Sequence, residues 1–132
     1  MVDTRRYLVV SCVLLVAPCA ARELAAQRPA ATVTVDMALV ERGRKLFSEK
    51  QCNTCHTIGR GKAAGPDLKN VTSRRSLDWI RRMIRTPEVM LLEDSVAQAL
   101  RGQHNGIPMP NMEVGAEEVE ALIHFIASKS DR

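Results

Sequence analysis

The sequence predicts a small all-α domain of about four short helices, and three observations support that prediction. Apolar residues recur at helical spacing, most clearly near the C terminus, and no segment alternates apolar and polar residues as a half-buried strand would. The 132 residues suit a single domain and are too few for a two-domain enzyme. Aromatic residues make up only 3% of a chain that is 45% hydrophobic. We therefore expect something other than aromatic side chains to fill the middle of the helices.

The first segment, residues 1–26, has the layout of a secretory signal peptide. Two adjacent arginines precede an apolar run and then small residues, with cleavage predicted after Ala21 or Ala26. The apolar run is about half of the roughly 20 residues that a membrane helix needs, so no stable membrane span is expected after cleavage. Acylation at Cys19 is a second interpretation, which Pro18 directly before it disfavours. Cleavage after Ala26 also removes the first two of the four cysteines.

Residues 27–35 and the segment after them predict a lead-in followed by the first helix. Pro29 and several small residues make residues 27–35 a predicted flexible lead-in to a domain at residues 36–130. Asp36 is a predicted N-cap for a helix of about a dozen residues. The residues that share its predicted buried face are Leu39, Gly43, Leu46 and Phe47.

Glycine and proline residues divide the middle of the chain. Residues 52–69 are predicted to form an irregular loop after a short turn. A helix is predicted at residues 76–85, and a Thr-Pro pair ends it because the residue before a proline is driven out of the α region. A further short helix is predicted at residues 94–101, where a glycine follows, and residues 103–115 are predicted to form a loop.

The last helix has the strongest pattern in the chain. Acidic residues occupy its predicted first turn and Lys129 lies near its end, which complements the helix dipole. The apolar positions follow the i, i+3, i+4, i+7 spacing of a buried face, namely Val119, Leu122, Ile123 and Ile126, with Phe125 beside them.

Residues 52–56 read Cys-Asn-Thr-Cys-His, a spacing typical of covalent haem attachment. Two thiols on one turn, Cys52 and Cys55, can reach the two vinyl groups on one side of a porphyrin, and His56 then reaches the iron. The alternatives are a disulfide or thiol redox pair and a zinc site. A thioredoxin-like pair expects a βαβ context, and a zinc site needs a second ligand pair that the other histidines do not form. The motif therefore predicts one haem c, bound through Cys52 and Cys55.

Met109 is the predicted second axial ligand. It lies between two prolines that stiffen the backbone around its thioether. His104, in a loop with glycine and asparagine, is its rival and would give bis-histidine ligation. His124 is predicted to be a half-exposed packing residue on the last helix. The methionines predicted to fill gaps in the core are Met83, Met90 and Met112.

The chain resembles the class I cytochrome c family over residues 37–127. Its segment 43–47, Gly-Arg-Lys-Leu-Phe, is similar to the family's first helix, in which a glycine and an aromatic residue pack against the last helix. The resemblance implies that Gly43 and Phe47 meet Leu122 and Phe125. Residues 65–68, Gly-Pro-Asp-Leu, are similar to the family's G-P-x-L loop.

The same resemblance implies the cytochrome c fold, with short helices around one covalently bound haem, and roles for several residues. In the G-P-x-L loop the proline carbonyl accepts a hydrogen bond from the axial histidine, so Pro66 is expected to orient His56. The segment at Met109 is similar to the family's methionine-ligand segment. Residues expected near a haem propionate are Trp79, Arg74 and Arg75, and the nominees for a hydrogen bond to the methionine sulfur are Asn105 and Asn111.

Two axial ligands leave no open position on the iron, which predicts an electron carrier rather than an enzyme. One alternative is a haem domain or small subunit of a larger redox enzyme, with peroxidase or gas-binding activity if Met109 does not ligate the iron. Another is a thiol redox or zinc module without haem.

The charges suggest how partners would be recognised. Residues 42–85 contain 12 Lys and Arg against 3 Asp and Glu, whereas residues 86–132 contain 3 against 8. A basic face around the attachment turn predicts docking to an acidic patch on a dehydrogenase, an oxidase or a respiratory complex in the periplasm. A basic surface that only aids solubility is the alternative. Nucleic acid is not an expected ligand, because the chain has no binding motif and few aromatic residues.

Overall fold

The computed structural model describes residues 33–130, and all regular secondary structure within them is helical. The predicted all-α fold class is thereby confirmed. The predicted signal peptide at residues 1–26 lies outside the described part of the chain, as does most of the lead-in at residues 27–35. Its last residues, 33–35, have no regular secondary structure, and Val33 packs partly buried against the core.

Seven helices form over the described residues. They are α1 (Met37–Glu49), α2 (Cys52–Cys55), α3 (Val71–Arg74), α4 (Leu77–Arg85), α5 (Pro87–Glu93), α6 (Ser95–Gln103) and α7 (Ala116–Ser130). The four helices predicted from periodicity correspond to α1, α4, α6 and α7. Between residues 33 and 130, no helix combines the length and the apolar character that crossing a membrane requires.

The three additional helices each have a local reason. Helices α2 and α3 are single turns of four residues, too short for a periodic pattern. Helix α5 follows α4 after one residue, because Thr86 leaves the helical conformation and Pro87 then begins a new helix. A proline is favourable in that first position, where its missing N–H is not needed.

Side chains satisfy the free N–H groups at the helix starts. Asp36 accepts hydrogen bonds from the N–H groups of Ala38 and Leu39, at 2.8 and 3.2 Å, as its predicted N-cap role requires. Ser76 caps α4 and Asp94 caps α6 in the same way. At the start of α7, Glu118 accepts from the N–H of Gly115 at 2.8 Å, the carboxylate half of a capping box.

The pairing of α1 with α7 organises the core. A Cβ atom added at Gly43 would lie 2.0 Å from the carbonyl oxygen of Ala121, so the two backbones touch at this point. One helical turn further along, the rings of Phe47 and Phe125 pack with their centroids 5.4 Å apart. The expected contact of Gly43 and Phe47 with the last helix is present, with Ala121 at the closest point.

Helix α7 is the centre of the fold. It contacts α1, α3 and α4, and seven of its fifteen residues are buried. Arg81 of α4 donates to both carboxylate oxygens of Glu120 on α7, at 2.7 and 3.0 Å, which ties these helices together at the edge of the core. Helices α5 and α6 pack on each other, and α5 also contacts α4.

Candidate functional site

A large apolar cavity lies between the helices. The empty space between its walls, including the part that is open to solvent, is about 1240 Å³. Every predicted site residue lies on its wall, namely Cys52, Cys55, His56, Pro66 and Met109. The rest of the wall is mainly aliphatic and comes from α1, α3, α4, α5, α6 and α7. This cavity lies in the middle of the helices, which the sequence predicts to be filled by something other than aromatic side chains.

The two cysteines lie on the single turn α2 at one part of this wall. Gln51 begins the turn in a left-handed conformation, with φ of 55°, and both thiols are free. Burial raises the pKa of Cys52 above its ordinary value. Thiol oxidoreductases have the opposite property, a lowered cysteine pKa. The site therefore argues against the thiol redox interpretation.

His56 is oriented by the loop that follows the attachment turn. Its Nδ1 lies 2.9 Å from the carbonyl oxygen of Pro66, so the ring donates its Nδ1–H there and keeps a lone pair on Nε2. Burial lowers the pKa of His56, although the hydrogen bond to Pro66 opposes that shift. The neutral imidazole is the form that binds a metal, and this hydrogen bond is the one that the resemblance implied.

Gly65 completes the contact with the histidine ring. A Cβ atom there would lie 2.7 Å from Cε1 and 2.9 Å from Nδ1 of His56. The N–H of Gly65 also donates to the carbonyl of Cys55 at 2.7 Å. The loop backbone thus packs directly on the ring, and only glycine leaves room for it.

The carboxylate of Asp67 holds this loop in its conformation. It accepts hydrogen bonds from the N–H groups of Gly59, Gly61 and Lys69 at 2.6–2.8 Å, and the hydroxyl of Thr57 lies 2.9 Å from it. Burial alone would raise the pKa of Asp67, but these hydrogen bonds hold it well below its ordinary value. Asp67 therefore connects both ends of the loop that presents Gly65 and Pro66 to His56.

We expect Asp67→Asn to lower the free energy of unfolding by about 1–2 kcal/mol at pH 7. The NH₂ group of the asparagine would replace one carboxylate oxygen and would face the two hydrogen-bond donors from which that oxygen accepts. The carboxylate's contribution is complete above the ordinary aspartate pKa of about 3.9 and is lost as the pH falls toward the lowered folded value. Denaturant unfolding between pH 7 and pH 2 measures this, and the difference between variant and parent should shrink below about pH 4.

The matched control is Asp78→Asn, which neutralises an 85% exposed carboxylate that contacts Arg81. We expect it to change the free energy of unfolding by less than about 0.5 kcal/mol. A pH-independent difference for Asp67→Asn, or equal effects of the two substitutions, would contradict this role of Asp67.

The loop after α6 carries Met109 and Met112, and the buried His104 lies at its start. Met109 lies on the cavity wall and is partly exposed, whereas Met112 also packs against the hydrophobic core, as predicted. Met90 is fully buried, as predicted for a core methionine.

His104 is 8% exposed and lies on the same cavity wall as Met109, with its Nδ1 3.4 Å from the carbonyl of Ala63. His124 is half-buried and accepts from the N–H of Asp36 at 3.0 Å.

Trp79 provides a test of whether the cavity fits a polar-edged cofactor. Its Nε1 is buried on the cavity wall and has no hydrogen-bond partner within residues 33–130. A buried indole N–H normally has one, so this donor suits an acceptor on a bound group such as a haem propionate. The guanidinium of Arg75 lies 5.6 Å from the Trp79 ring, while Arg74 instead donates to the carbonyls of Asp67, Lys69 and Asn70.

Taken together, these features define a class of protein: a small helical domain with an apolar cofactor cavity bearing two thiols and a neutral imidazole. The family model for cytochrome c matches residues 40–130, and the chain therefore belongs to the cytochrome c family. This membership implies a covalently bound haem c and a role in electron transfer. The two thiols, the imidazole of His56 and the indole N–H of Trp79 on the cavity wall fit a haem. Proteins of this family are generally electron carriers, and their domains are typically extracytoplasmic.

Solved structures show the same fold. Cytochrome c from Rhodothermus marinus is 26% identical, with a TM-score of 0.70, covering 74% of this chain and 82% of that chain. The cytochrome c domain of the pp3183 protein from Pseudomonas putida is 36% identical, with a TM-score of 0.60, covering 68% and 89%. An engineered cytochrome c from Rhodothermus marinus, at 23% identity, shares the fold with a TM-score of 0.70, covering 80% and 89%. The comparison with curated proteins finds no match.

The contacts of three residues of the site are not predicted by motif or periodicity. Asp67 and Gly65 lie in the segment that resembles the G-P-x-L loop, but their contacts depend on how residues 57–69 fold. Lys50, on the cavity wall, looks in the sequence like one more basic residue near the end of the first helix.

Asn111, a nominee for a hydrogen bond to the methionine sulfur, instead donates to the carboxylate of Glu88 at 3.2 and 3.3 Å.

Proposed function

We propose that the protein carries single electrons between redox partner proteins outside the cytoplasm. It would hold one haem c through Cys52 and Cys55, with His56 and Met109 as the axial ligands. The observation that carries this proposal is the convergence of these four residues on one apolar cavity, where His56 is already oriented by Pro66.

Each residue has a defined task in this proposal. The haem iron supplies a one-electron couple between its ferrous and ferric states. Cys52 and Cys55 hold the macrocycle at the edge of α2, so that it cannot dissociate. Pro66 keeps the Nδ1 proton of His56 and leaves Nε2 for the iron. The Met109 thioether, a soft ligand, favours the ferrous state and raises the reduction potential.

The surrounding structure supports transfer without a catalytic step. The aliphatic wall would exclude water from a bound haem iron and lower the local dielectric constant. The loops that bear His56 and Met109 are held by side-chain hydrogen bonds, which the carboxylate of Asp67 accepts and the side chains of Lys50 and Asn111 donate. Such a site needs little rearrangement between oxidation states, and with both axial positions filled it offers no position for a substrate.

The distribution of charge supports a partner class. Exposed basic side chains lie in the loop after the attachment turn, including Arg60, Lys62 and Lys69. We expect them to dock on an acidic patch of a dehydrogenase, an oxidase or a respiratory complex, with association that weakens as ionic strength rises. The predicted signal peptide at residues 1–26 supports a periplasmic location.

Reversible reduction in the presence of carbon monoxide tests the proposed function. We expect a one-electron titration of the holoprotein that is unchanged by carbon monoxide, because Met109 occupies the position that the gas would need. A carbon monoxide complex of the reduced protein, together with peroxide turnover, would instead assign an open iron site and an enzymatic role.

A further inference from the structure

The side chain of Lys50 joins the haem-attachment turn to the loop that carries Met109. Lys50 is the C-cap of α1 and lies two residues before Cys52. Its Nζ lies 3.3 Å from the carbonyl oxygen of Met112 and 3.3 Å from that of Glu113. One ammonium group therefore donates to two consecutive carbonyls of a segment 62 residues further along the chain.

That segment has little backbone support of its own. Pro108 and Pro110, on either side of Met109, have no N–H to donate. Within the described chain, residues 108–114 take part in no backbone-to-backbone hydrogen bond. Side chains must therefore hold the segment that carries Met109.

Two side-chain contacts do so. Asn111 donates to Glu88 of α5 and accepts the N–H of Glu113 at 2.9 Å. Glu113 is in the left-handed region, with φ of 51°, and its carbonyl and that of Met112 both reach the ammonium of Lys50. Hydrogen bonds from a charged donor are about twice as strong as neutral ones.

The surroundings of Lys50 strengthen this contact. Its side chain is 28% exposed, and the carboxylate of Glu118, equally exposed, lies 4.0 Å from Nζ. The same carboxylate accepts the N–H of Gly115 at the start of α7. Lys50 thus contacts the methionine-bearing loop and the last helix together, in a partly desolvated position where charge interactions are less screened.

We infer that Lys50 is a positioning residue for axial ligation, holding the loop at residues 108–114 so that Met109 stays on the iron. This inference rests on the proposed function, because it requires Met109 to be a ligand. An added ligand such as imidazole binds the iron only when Met109 has left it. Its apparent affinity therefore reports the fraction of protein in which Met109 is released.

The test measures imidazole binding to the oxidised holoprotein, followed by loss of the sulfur-to-iron charge-transfer band. Lys50→Met is expected to raise the affinity for imidazole about tenfold, equivalent to about 1.4 kcal/mol. Lys50→Arg keeps a charged donor and should restore most of the parent value. The control is Lys45→Met on α1, whose side chain is 60% exposed and lies 3.8 Å from the carboxylate of Glu41. It should leave the affinity unchanged.

A merely structural role of Lys50 would lower the resistance to denaturant but leave imidazole affinity unchanged, and that result would overturn the inference. Equal increases for Lys50→Met and Lys45→Met would also overturn it. If Lys50→Met does not accumulate as holoprotein, we expect Lys50→Gln to cause the same tenfold rise in the affinity for imidazole. Absence of the charge-transfer band in the parent protein would reject Met109 ligation, and with it both the proposed function and the role of Lys50. A normal parent spectrum with no effect of Lys50→Met rejects only the latter.

Discussion

Gly43→Ala is expected to lower the free energy of unfolding by about 3 kcal/mol, at the upper end of the usual cost of overpacking. The added methyl group would meet the carbonyl oxygen of Ala121 at 2.0 Å and the Cβ of Phe125 at 2.8 Å. A backbone carbonyl in the middle of α7 cannot move aside as a flexible side chain can. Helices α1 and α7 would have to separate, which also weakens the packing of Phe47 on Phe125.

Denaturant unfolding of the holoprotein measures this effect, and Gly102→Ala provides the matched control. Gly102 lies in the last turn of α6, and an added Cβ would meet no atom within 4 Å. An alanine there should stabilise the protein by up to about 1 kcal/mol, because it removes the backbone freedom of glycine in the unfolded chain. Similar effects of the two substitutions would mean that close approach of α1 and α7 at Gly43 is not a determinant of stability.

Met109→Ala is expected to have the largest effect on the spectrum and the reduction potential. Loss of the thioether removes the second axial ligand, so the low-spin six-coordinate spectrum of the reduced protein should disappear and the potential should fall. The reduced variant should also bind carbon monoxide. Absorption spectroscopy and a redox titration of the purified variant measure these changes.

Met112→Ala is the matched comparison. Met112 lines the same cavity three residues further on, but it packs against the hydrophobic core. Its truncation should cost about 2 kcal/mol of stability, at the low end for a methionine that is only partly buried, and leave the ligation unchanged. The reverse pattern would assign Met112 as the ligand. Retention of low-spin ligation in both variants would favour His104, the buried histidine on the same wall, as the axial ligand.

The helices that the sequence predicts are those with a long apolar face or a clear terminal signal. Helix α7 has both features. Helix α1 has Asp36 as its N-cap and Gly43 on the face that contacts α7. The Thr-Pro pair correctly predicts where α4 ends, but it conceals α5, because the same proline begins the next helix. One-turn helices such as α2 have no period to detect, although the spacing of Cys52 and Cys55 makes a turn necessary.

The site divides in a similar way. Cys52, Cys55 and His56 form a contiguous motif, and Pro66 and Met109 lie in short segments with family patterns. Trp79 is expected near a propionate from the family resemblance, but the burial of its Nε1, which has no partner within residues 33–130, is evident only in the tertiary fold. Lys50 gains its role only from the tertiary fold, because the carbonyl groups that it reaches lie in a distant part of the chain. Nothing local in the sequence distinguishes such a lysine from an exposed one like Lys45.

Covalent attachment of haem through Cys52 and Cys55 is tested most directly by acid-acetone extraction of the purified protein, followed by its absorption spectrum. We expect the Soret absorption to remain with the precipitated polypeptide, and to be lost from it when both cysteines are replaced by alanine. Transfer of the Soret absorption into the acetone phase would contradict this attachment, as would a protein without Soret absorption whose two cysteines titrate as free thiols.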